Sequence, residues 1–251
     1  MMVSRSSGEI LSARPLNHSI SFGSMERFSS SSAYEVAFSN HECFSDPAEM
    51  NTPFSLRLLI SVWQSMDEDN PDAEEHIPYW VELWPATLAL CGWLVRQELT
   101  GRRCLDLGCG LGLSALVASS LGAQVVGMDF EHGALHFASR NARINSVPSP
   151  LWVCMDWNRP GFAPACFDRI WGGDIFYEQR FFEPLESLLL RSLAPDGKVW
   201  FGDPERTVSS TVWSRFSRRG WRVRNQGQEV VPFDQARMTV NVWELSRPLV
   251  M

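Results

Sequence analysis

The sequence predicts an α/β fold, a doubly wound, seven-stranded and mostly parallel sheet with an antiparallel edge strand. From Gly101 onward, five short apolar runs alternate with segments of helical periodicity, as right-handed crossovers require. Near the C-terminus two strand-like runs follow each other without a helix between them, which fits an antiparallel pair at the sheet edge. The chain has 251 residues, 45% of them hydrophobic, so it can bury a core of this size.

Residues 1–46 are rich in serine and lack an apolar period, so we expect a flexible N-terminal extension. The stretch before Met25 carries Arg5 and Arg14 against one acid, Glu9, a composition that an organellar transit peptide also shows. A disordered tail and a start at Met25 are the alternatives, and the sequence leaves all three open.

Residues 47–100 are predicted to form a helical cap on the substrate side of the fold. The apolar spacing of residues 54–66 predicts a helix there, and Pro85 suits the first position of a second helix. Residues 101–251 form the predicted α/β core.

Within this core, turn residues separate the predicted elements. The parallel strands are predicted at 103–107, 124–129, 151–155, 168–174 and 198–203. The helices between them are predicted at 113–121, 131–145 and 181–193, the last followed by the stop signal APDG. The C-terminal pair is predicted as GWRVRNQG and ARMTVNVWEL, with a long loop between them.

Charge and composition exclude several classes of function. A net charge of -7 provides no basic field for a nucleic-acid backbone, so we predict no nucleic-acid partner. The six cysteines form no C-x-x-C pair and the five histidines no H-E-x-x-H motif, so we predict no metal. No apolar run approaches the roughly 20 residues of a membrane helix. We expect a cytoplasmic protein, or an organellar one if the N-terminus is a transit peptide.

An acidic side chain lies at or next to the end of every predicted parallel strand. The five residues are Asp106, Asp129, Asp156, Asp174 and Asp203. Ligands of open α/β sheets bind outside the carboxyl ends of the strands. One such acid is ordinary turn or capping chemistry, but five along one edge indicate a ligand site.

The run CLDLGCGLGLSAL places Gly108, Gly110 and Gly112 between the first core strand and its helix. Glycines there let a ligand approach bare backbone beside a helix N-terminus. Leu113 stands where a dinucleotide fingerprint requires a small residue. Asp106 would repel a pyrophosphate, whereas a cofactor that carries an ammonium and a sulfonium would tolerate it.

This run resembles motif I of the class I S-adenosylmethionine-dependent methyltransferases, and the resemblance covers about residues 79–243. It implies a Rossmann-like fold and S-adenosyl-L-methionine as cofactor. The three glycines would line the methionine portion of the cofactor, and Asp106 would order the loop or the amino group. The implied cofactor-binding set also contains Trp84, Cys109 and Phe130.

Two further acids match family positions. Asp129, about 20 residues past the loop, fits the acid that accepts both ribose hydroxyls. Asp156 matches the acid that accepts from the adenine amino group, with Trp157 stacking on the ring. A capping role for Asp129, and a turn with a core aromatic for Asp156 and Trp157, are the structural alternatives.

Three segments, IPYWVELWPATLAL, GGDIFYE and FGDPER, together resemble the family 16 protein-lysine methyltransferases. The nearest subgroup modifies the β subunit of electron-transfer flavoprotein and includes bacterial relatives. In it, an acid-x-x-aromatic signature follows the fourth strand, and Asp174 and Tyr177 match it as catalytic residues. Asp174 would bind and orient the acceptor, and Tyr177 would shape the pocket wall. Glu205 departs from the subgroup's GDPGR run, so no role is carried to Arg206.

The resemblance therefore implies methyl transfer to a lysine of a protein partner. Nucleic-acid amino-methyltransferases carry (N/D)-P-P-(Y/F) at this position, and GDIFYE lacks both prolines. A small-molecule amine methyltransferase of nicotinamide-like substrates is the second hypothesis, because its cofactor half would look identical. A non-catalytic cofactor-binding regulatory protein is the third, and a dinucleotide oxidoreductase the last.

Overall fold

The computed structural model describes residues 11–12, 21–22, 26–27, 33–38, 54–59, 79–233 and 236–247. The strands are β1 (Leu11–Ser12), β2 (Ser21–Phe22), β3 (Glu26–Arg27), β4 (Ala33–Phe38), β5 (Phe54–Leu59), β6 (Arg103–Leu107), β7 (Gln124–Asp129), β8 (Leu151–Cys154), β9 (Phe167–Gly173), β10 (Leu193–Asp203), β11 (Arg222–Phe233) and β12 (Ala236–Ser246). The α-helices are α1 (Pro85–Leu94), α2 (Leu113–Ser120), α3 (His132–Asn145), α4 (Phe182–Ser192) and α5 (Val212–Arg218). Short 3-10 turns precede three of the helices, at Tyr79–Val81, Gln179–Phe181 and Ser209–Thr211.

The main sheet has seven strands in the order β8-β7-β6-β9-β10-β12-β11. The first five are parallel to one another, and β12 runs antiparallel to both β10 and β11. This topology confirms the predicted fold class. It also shows that β12 lies second from the edge, with β11 outside it.

The connection between β11 and β12 differs from the prediction. The two strands pair from Arg222 with Ser246 to Phe233 with Ala236, so only residues 234–235 separate them. The predicted long loop is wrong, because its residues continue β11. A register shift between Asn225 and Gly227 interrupts the alternation of the strand, which hides its length in the sequence.

Strands β1 to β5 form a second, smaller sheet in which every pairing is antiparallel. β5 occupies 54–59, where a helix was predicted, and pairs with β4 over six residues. Phe54, Leu56 and Leu58 alternate with Ser55 and Arg57, so this short run fits a strand period as well as a helical one. Residues 60–66 lie outside the described residues.

The remaining four strands of the small sheet fall within residues 1–46, the predicted flexible extension. At those strand residues the backbone is paired in a sheet. The rest of the extension lies outside the described residues, and the domain boundaries stay predictions.

Helices cover both faces of the main sheet, as the doubly wound prediction requires. Along each central strand, successive side chains enter opposite cores. Trp171 and Trp200 pack with α1 and α2 on one face, whereas Ile170 and Phe201 pack with α4 and α5 on the other. No helix within the described ranges is long and apolar enough to cross a membrane.

Helix α1 begins at Pro85, at the first helical position as predicted, and its first turn packs on the tips of β9 and β10. A Cβ on Gly173 would lie 3.0 Å from the Thr87 nitrogen, and one on Gly202 would lie 2.7 Å from the Ala86 carbonyl oxygen. These two glycines therefore let the residues before α1 reach the carboxyl edge of the sheet.

Candidate active site

The carboxyl ends of the parallel strands bring the predicted acids to one edge of the sheet. Asp106 lies near the end of β6, Asp129 ends β7, Asp203 ends β10, and Asp174 directly follows β9. Ile175, next to Asp174, has its Cγ2 3.4 Å from where a Cβ on Gly108 would stand. The tip of β9 and the glycine loop therefore meet.

The glycine loop adopts a backbone that L side chains rarely take. Gly108 has φ 64° and Gly110 has φ 51°, both in the left-handed region. A Cβ on Gly108 would face Ile175 and Trp157, and one on Gly110 would lie 3.5 Å from the Trp80 carbonyl oxygen. The missing side chains leave a cradle between the loop, Trp157 and the turn that carries Trp80.

Gly112 and Cys109 point away from that cradle. With φ 83° at Gly112, a Cβ there would lie 2.8 Å from Trp152 and 2.9 Å from the Ala138 Cβ. Cys109 is buried, and its Sγ lies 3.3 Å from the Cβ position of Gly127. Packing against α3 and β8 thus accounts for Gly112, and at both positions only the backbone is available to line a cofactor.

Asp106 is buried behind the loop. Its Oδ2 accepts a hydrogen bond of 2.6 Å from the Ser114 hydroxyl at the start of α2. Burial raises the pKa of Asp106 to about 7, and the Ser114 hydrogen bond opposes that shift. This side chain therefore ties β6 to α2, and its loop-ordering role stays a prediction.

Asp129 holds the other side of the loop. Its Oδ2 accepts from the Gly110 N–H at 2.8 Å, and its Oδ1 accepts from the Glu131 N–H at 3.0 Å. Burial raises the pKa of this carboxyl, and the two backbone hydrogen bonds oppose the rise. Each oxygen retains a second lone pair, so these contacts leave acceptor capacity for two hydroxyl groups.

Asp156 and Trp157, predicted to bind the adenine, make other contacts in the structure. Asp156 accepts from both the backbone and the side-chain nitrogen of Asn158 through one oxygen, Oδ1, which also lowers its pKa. This is the turn that the structural alternative described. Trp157 packs edge-on against Phe181, with ring centroids 5.1 Å apart, and Phe130 is 67% exposed beside Asp129.

Asp174 has φ 54°, a left-handed conformation that costs energy for a residue with a Cβ. Its N–H donates to the Gly202 carbonyl at 2.9 Å, which fixes the residue between β9 and β10. Its two carboxylate oxygens accept from Arg206 Nε at 2.6 Å and Nη2 at 2.5 Å. Burial raises the pKa of Asp174, and Arg206 opposes the rise.

Arg206 is a site residue that the sequence analysis did not assign. The only sequence signal was the GDP run before Arg206. Because Glu205 replaces the second glycine of the subgroup's GDPGR run, that signal was not used. Arg206 lies 5.7 Å above the Trp84 ring, and Trp84 stacks on Phe233 at 6.3 Å. Trp84, predicted to bind cofactor, thus lies beside the Asp174–Arg206 pair, with its indole N–H donating to the Tyr79 carbonyl at 2.7 Å.

Trp80 is the second residue that was not assigned. A Cβ on Gly133 would lie 2.8 Å from the Trp80 ring, which also packs on Phe137 at 5.6 Å between centroids. Together with its carbonyl next to Gly110, this places Trp80 across the loop and the start of α3. The segment IPYWVELWPATLAL resembles the family, but no local pattern in it predicts that Trp80 lies across the loop.

Tyr177 lies on the same edge as Asp174, 41% exposed and 5.1 Å from Phe181 between ring centroids. Burial raises the pKa of its phenol, and the negative charge of the neighbouring Glu178 raises it further. A neutral phenol fits a pocket wall better than a base. Glu178 pairs with Arg180 at 2.7 Å and makes no side-chain cap for the turn it precedes.

These residues fit an S-adenosylmethionine molecule. The cradle over Gly108 and Gly110 has room that a Cβ would fill, Asp129 retains acceptor capacity, and Asp106 supports the loop from behind through its bond to Ser114. Gly108, Gly110 and Asp129 would hold the cofactor, whose sulfonium supplies the methyl group, and Asp106 would order the loop behind them. Within the ranges described, no group of three or more His, Cys, Asp or Glu side chains could hold a metal ion.

The chain matches known proteins over the same region. The family description "Methyltransferase domain" matches residues 105–201. The electron transfer flavoprotein beta subunit lysine methyltransferase of Danio rerio is 35% identical over 61% of this chain and 60% of the relative, and that of Xenopus laevis is 33% identical over 68% and 69%. The chain thus spans about two thirds of the length of these relatives.

The fold also matches solved structures. A magnesium protoporphyrin IX methyltransferase from Synechocystis PCC 6803 with bound S-adenosylmethionine has a TM-score of 0.52 at 16% identity, over 64% of this chain and 78% of that one. The loop geometry, the strand order and these matches lead to one conclusion. The chain belongs to the class I S-adenosylmethionine-dependent methyltransferases, in the subgroup of the electron transfer flavoprotein beta subunit lysine methyltransferases.

Proposed function

We propose that this protein transfers a methyl group from S-adenosylmethionine to the side-chain amine of a lysine in a protein partner. The observation that carries the proposal is Asp174, held at the tip of β9 where Ile175 meets the glycine loop. An acceptor next to this carboxylate would lie beside the cradle for the methyl donor. The names of the Danio rerio and Xenopus laevis relatives support a lysine as acceptor.

The reaction needs positioning more than it needs acid or base chemistry. When the cofactor is bound, the amine nitrogen forms a bond to the methyl carbon while the carbon–sulfur bond breaks and its electron pair stays on sulfur. The methylated amine then loses its extra proton to solvent. In-line displacement of this kind requires an aligned nitrogen in a water-poor pocket.

The residues around Asp174 suit a long aliphatic amine. Trp84, which lies beside Arg206, and Tyr177, three residues after Asp174, provide aromatic surface for the methylene groups, and the carboxylate provides the polar end. A lysine has an unperturbed pKa of about 10.4, so the pocket must accept it as a neutral amine.

The test is methyl transfer from radiolabelled S-adenosylmethionine to proteins of a cell extract, followed by mass spectrometry of the labelled band. A labelled lysine peptide is the expected result. Label on an arginine, or only on a free small amine, would replace the lysine proposal with another acceptor class. Absence of label in every fraction, with cofactor binding intact, would support the non-catalytic alternative.

Replacing Asp174 with alanine should abolish transfer and leave the affinity for S-adenosylmethionine within about twofold, because Asp174 contacts Arg206 and not the glycine loop. Calorimetry measures the affinity and the labelling assay measures transfer. Asp168→Ala, at the other end of the sheet, is the control, since Asp168 also binds an arginine through both oxygens. Full transfer by Asp174→Ala would remove the acceptor role of this residue.

A further inference from the structure

Arg206, the cation next to Asp174, leads to an inference that deepens the proposed function and rests on it. Arg206 donates to both carboxylate oxygens of Asp174, and the Asp174 side chain is only 9% exposed. A charge so removed from water needs a partner, and a bidentate guanidinium is the strongest one a protein offers. The acceptor carboxylate of the site is therefore neutralised by a residue of the chain itself.

The rest of the neighbourhood contributes little positive charge. The groups that face the pair from adjoining elements are Asp203 at the end of β10 and Tyr79 before α1. Asp203 accepts from Ser209 and Trp213, and Glu205, next to Arg206, accepts from Asn241. Without Arg206, the acceptor would thus meet an uncompensated carboxylate with a second acid nearby.

An uncompensated carboxylate is the wrong neighbour for methyl transfer to an amine. It stabilises the ammonium, which has no lone pair to attack with, and so raises the pKa of the bound lysine. A guanidinium on the same carboxylate cancels most of that field and favours the amine. The carboxylate can still accept an N–H from the amine, because each of its oxygens has a lone pair that Arg206 does not use.

We propose that Arg206 is a positioning residue that neutralises and orients Asp174, so that the site binds the acceptor lysine as a neutral amine. Arg206 acts through Asp174 and needs no contact with the methyl donor. Arg206 also lies 5.7 Å above the Trp84 ring, and this cation–π contact helps to hold the guanidinium beside the carboxylate.

The test is the pH dependence of kcat for full-length Arg206→Gln, with the labelled lysine peptide as acceptor. The pH profile of kcat reports ionisations in the enzyme–substrate complex, whereas kcat/KM reports those of the free partners. If the pKa of the bound amine lies above 7 in the wild type and rises by about one unit in Arg206→Gln, kcat near pH 7 falls about tenfold and recovers once the pH exceeds the raised pKa. The pH profile of kcat/KM should be the same in both proteins, because it reports the pKa of the free acceptor lysine.

Two variants control this experiment. Arg206→Lys keeps the positive charge, and we expect it to restore the wild-type profile. Arg103→Gln removes a guanidinium that pairs with Asp168 in the same bidentate manner at the opposite end of the sheet, and we expect no change in the profile. Thermal unfolding of each variant verifies that it is folded.

A loss of kcat in Arg206→Gln that is equal at every pH would overturn the inference, because the pKa of the bound amine would then not depend on Arg206. A lower KM with kcat unchanged would also overturn it, because Arg206 would then only occupy the acceptor site. In both cases wild-type transfer to lysine stands. If the wild type methylates no amine, the proposed function fails and this inference fails with it.

Discussion

Asp129 ends β7 and Asp156 lies two residues past the end of β8, yet the two acids make different contacts. Asp129 accepts through one oxygen from the Gly110 N–H of the glycine loop and through the other from the Glu131 N–H before α3. Asp156 uses one oxygen for both of its bonds to Asn158. Only the first arrangement couples the acid to the glycine loop. We therefore expect Asp129 to matter more for cofactor binding.

Asp129→Ala should weaken S-adenosylmethionine binding by about 1–3 kcal/mol, the scale of hydrogen bonds to a charged group. The loss has two sources, the acceptor itself and the release of the Gly110 N–H. Calorimetric titration measures it. Asp156→Ala is the matched comparison and should lose less, and an unchanged titration for Asp129→Ala would refute its ribose role.

Asp106 makes the stability of the cofactor-free protein depend on pH. Burial raises its folded pKa from 3.8 to about 7. Between these values the unfolded chain releases a proton that the folded protein keeps, so stability is fully present below pH 3.8 and is lost as pH rises to about 7. At about 1.36 kcal/mol per pKa unit, the loss is on the order of 4 kcal/mol.

Asp106→Asn should reduce this dependence, because the amide has no proton to lose. Urea unfolding at about pH 5 and pH 8 compares the two proteins, and the fall in stability over that interval should be smaller in the variant. Asp129, whose pKa burial also raises, keeps part of the slope. An identical slope in both proteins would show that Asp106 is ionised throughout.

At the scale of elements, the glycine loop is a junction between two layers. Gly108 and Gly110 face the ligand side, whereas Gly112 faces α3 and β8 through Ala138 and Trp152. The same G-x-G-x-G spacing therefore serves two functions. We propose that Gly108 and Gly110 accommodate the cofactor, whereas Gly112 lets α2 pack against α3 and β8.

Gly112→Ala should destabilise the protein by about 2–5 kcal/mol, from left-handed strain and from overlap with Trp152 and Ala138. Gly101→Ala is the matched control, since Gly101 has φ 71° with nothing within 4 Å of its Cβ position. It should lose only about 1–2 kcal/mol of backbone strain. Chemical denaturation measures both, and equal losses would contradict the packing role of Gly112.

For the whole molecule, cofactor binding should stabilise the fold by mass action. At a concentration of S-adenosylmethionine 100 times its Kd, the gain is about 2.7 kcal/mol. For a domain of this size that raises the Tm by about 5–10 °C. Thermal unfolding with and without ligand measures the shift, and NAD should produce none. A shift with NAD and none with S-adenosylmethionine would contradict the cofactor assignment.

Much of the α/β core was predictable because the local sequence patterns of its strands and helices agree with their packing in the fold. The strands β6 and β7 match their predicted bounds, and Pro85 begins α1 as expected. The run at 54–59 was predicted wrongly because six residues with alternating and helical spacing at once do not distinguish the two periods. Pairing with β4, a long-range contact, decides the outcome.

The sequence alone determined the fold class, the glycine loop and the acids at the strand ends, because these depend on residue type and spacing within one β-α unit. Only the tertiary structure decided which acids hold the loop, that Arg206 neutralises Asp174, and that Trp80 crosses the loop. Asp174 and Arg206 lie 32 positions apart and meet because β9 and β10 are adjacent and parallel. Their pairing therefore follows from the sheet order and not from any local pattern.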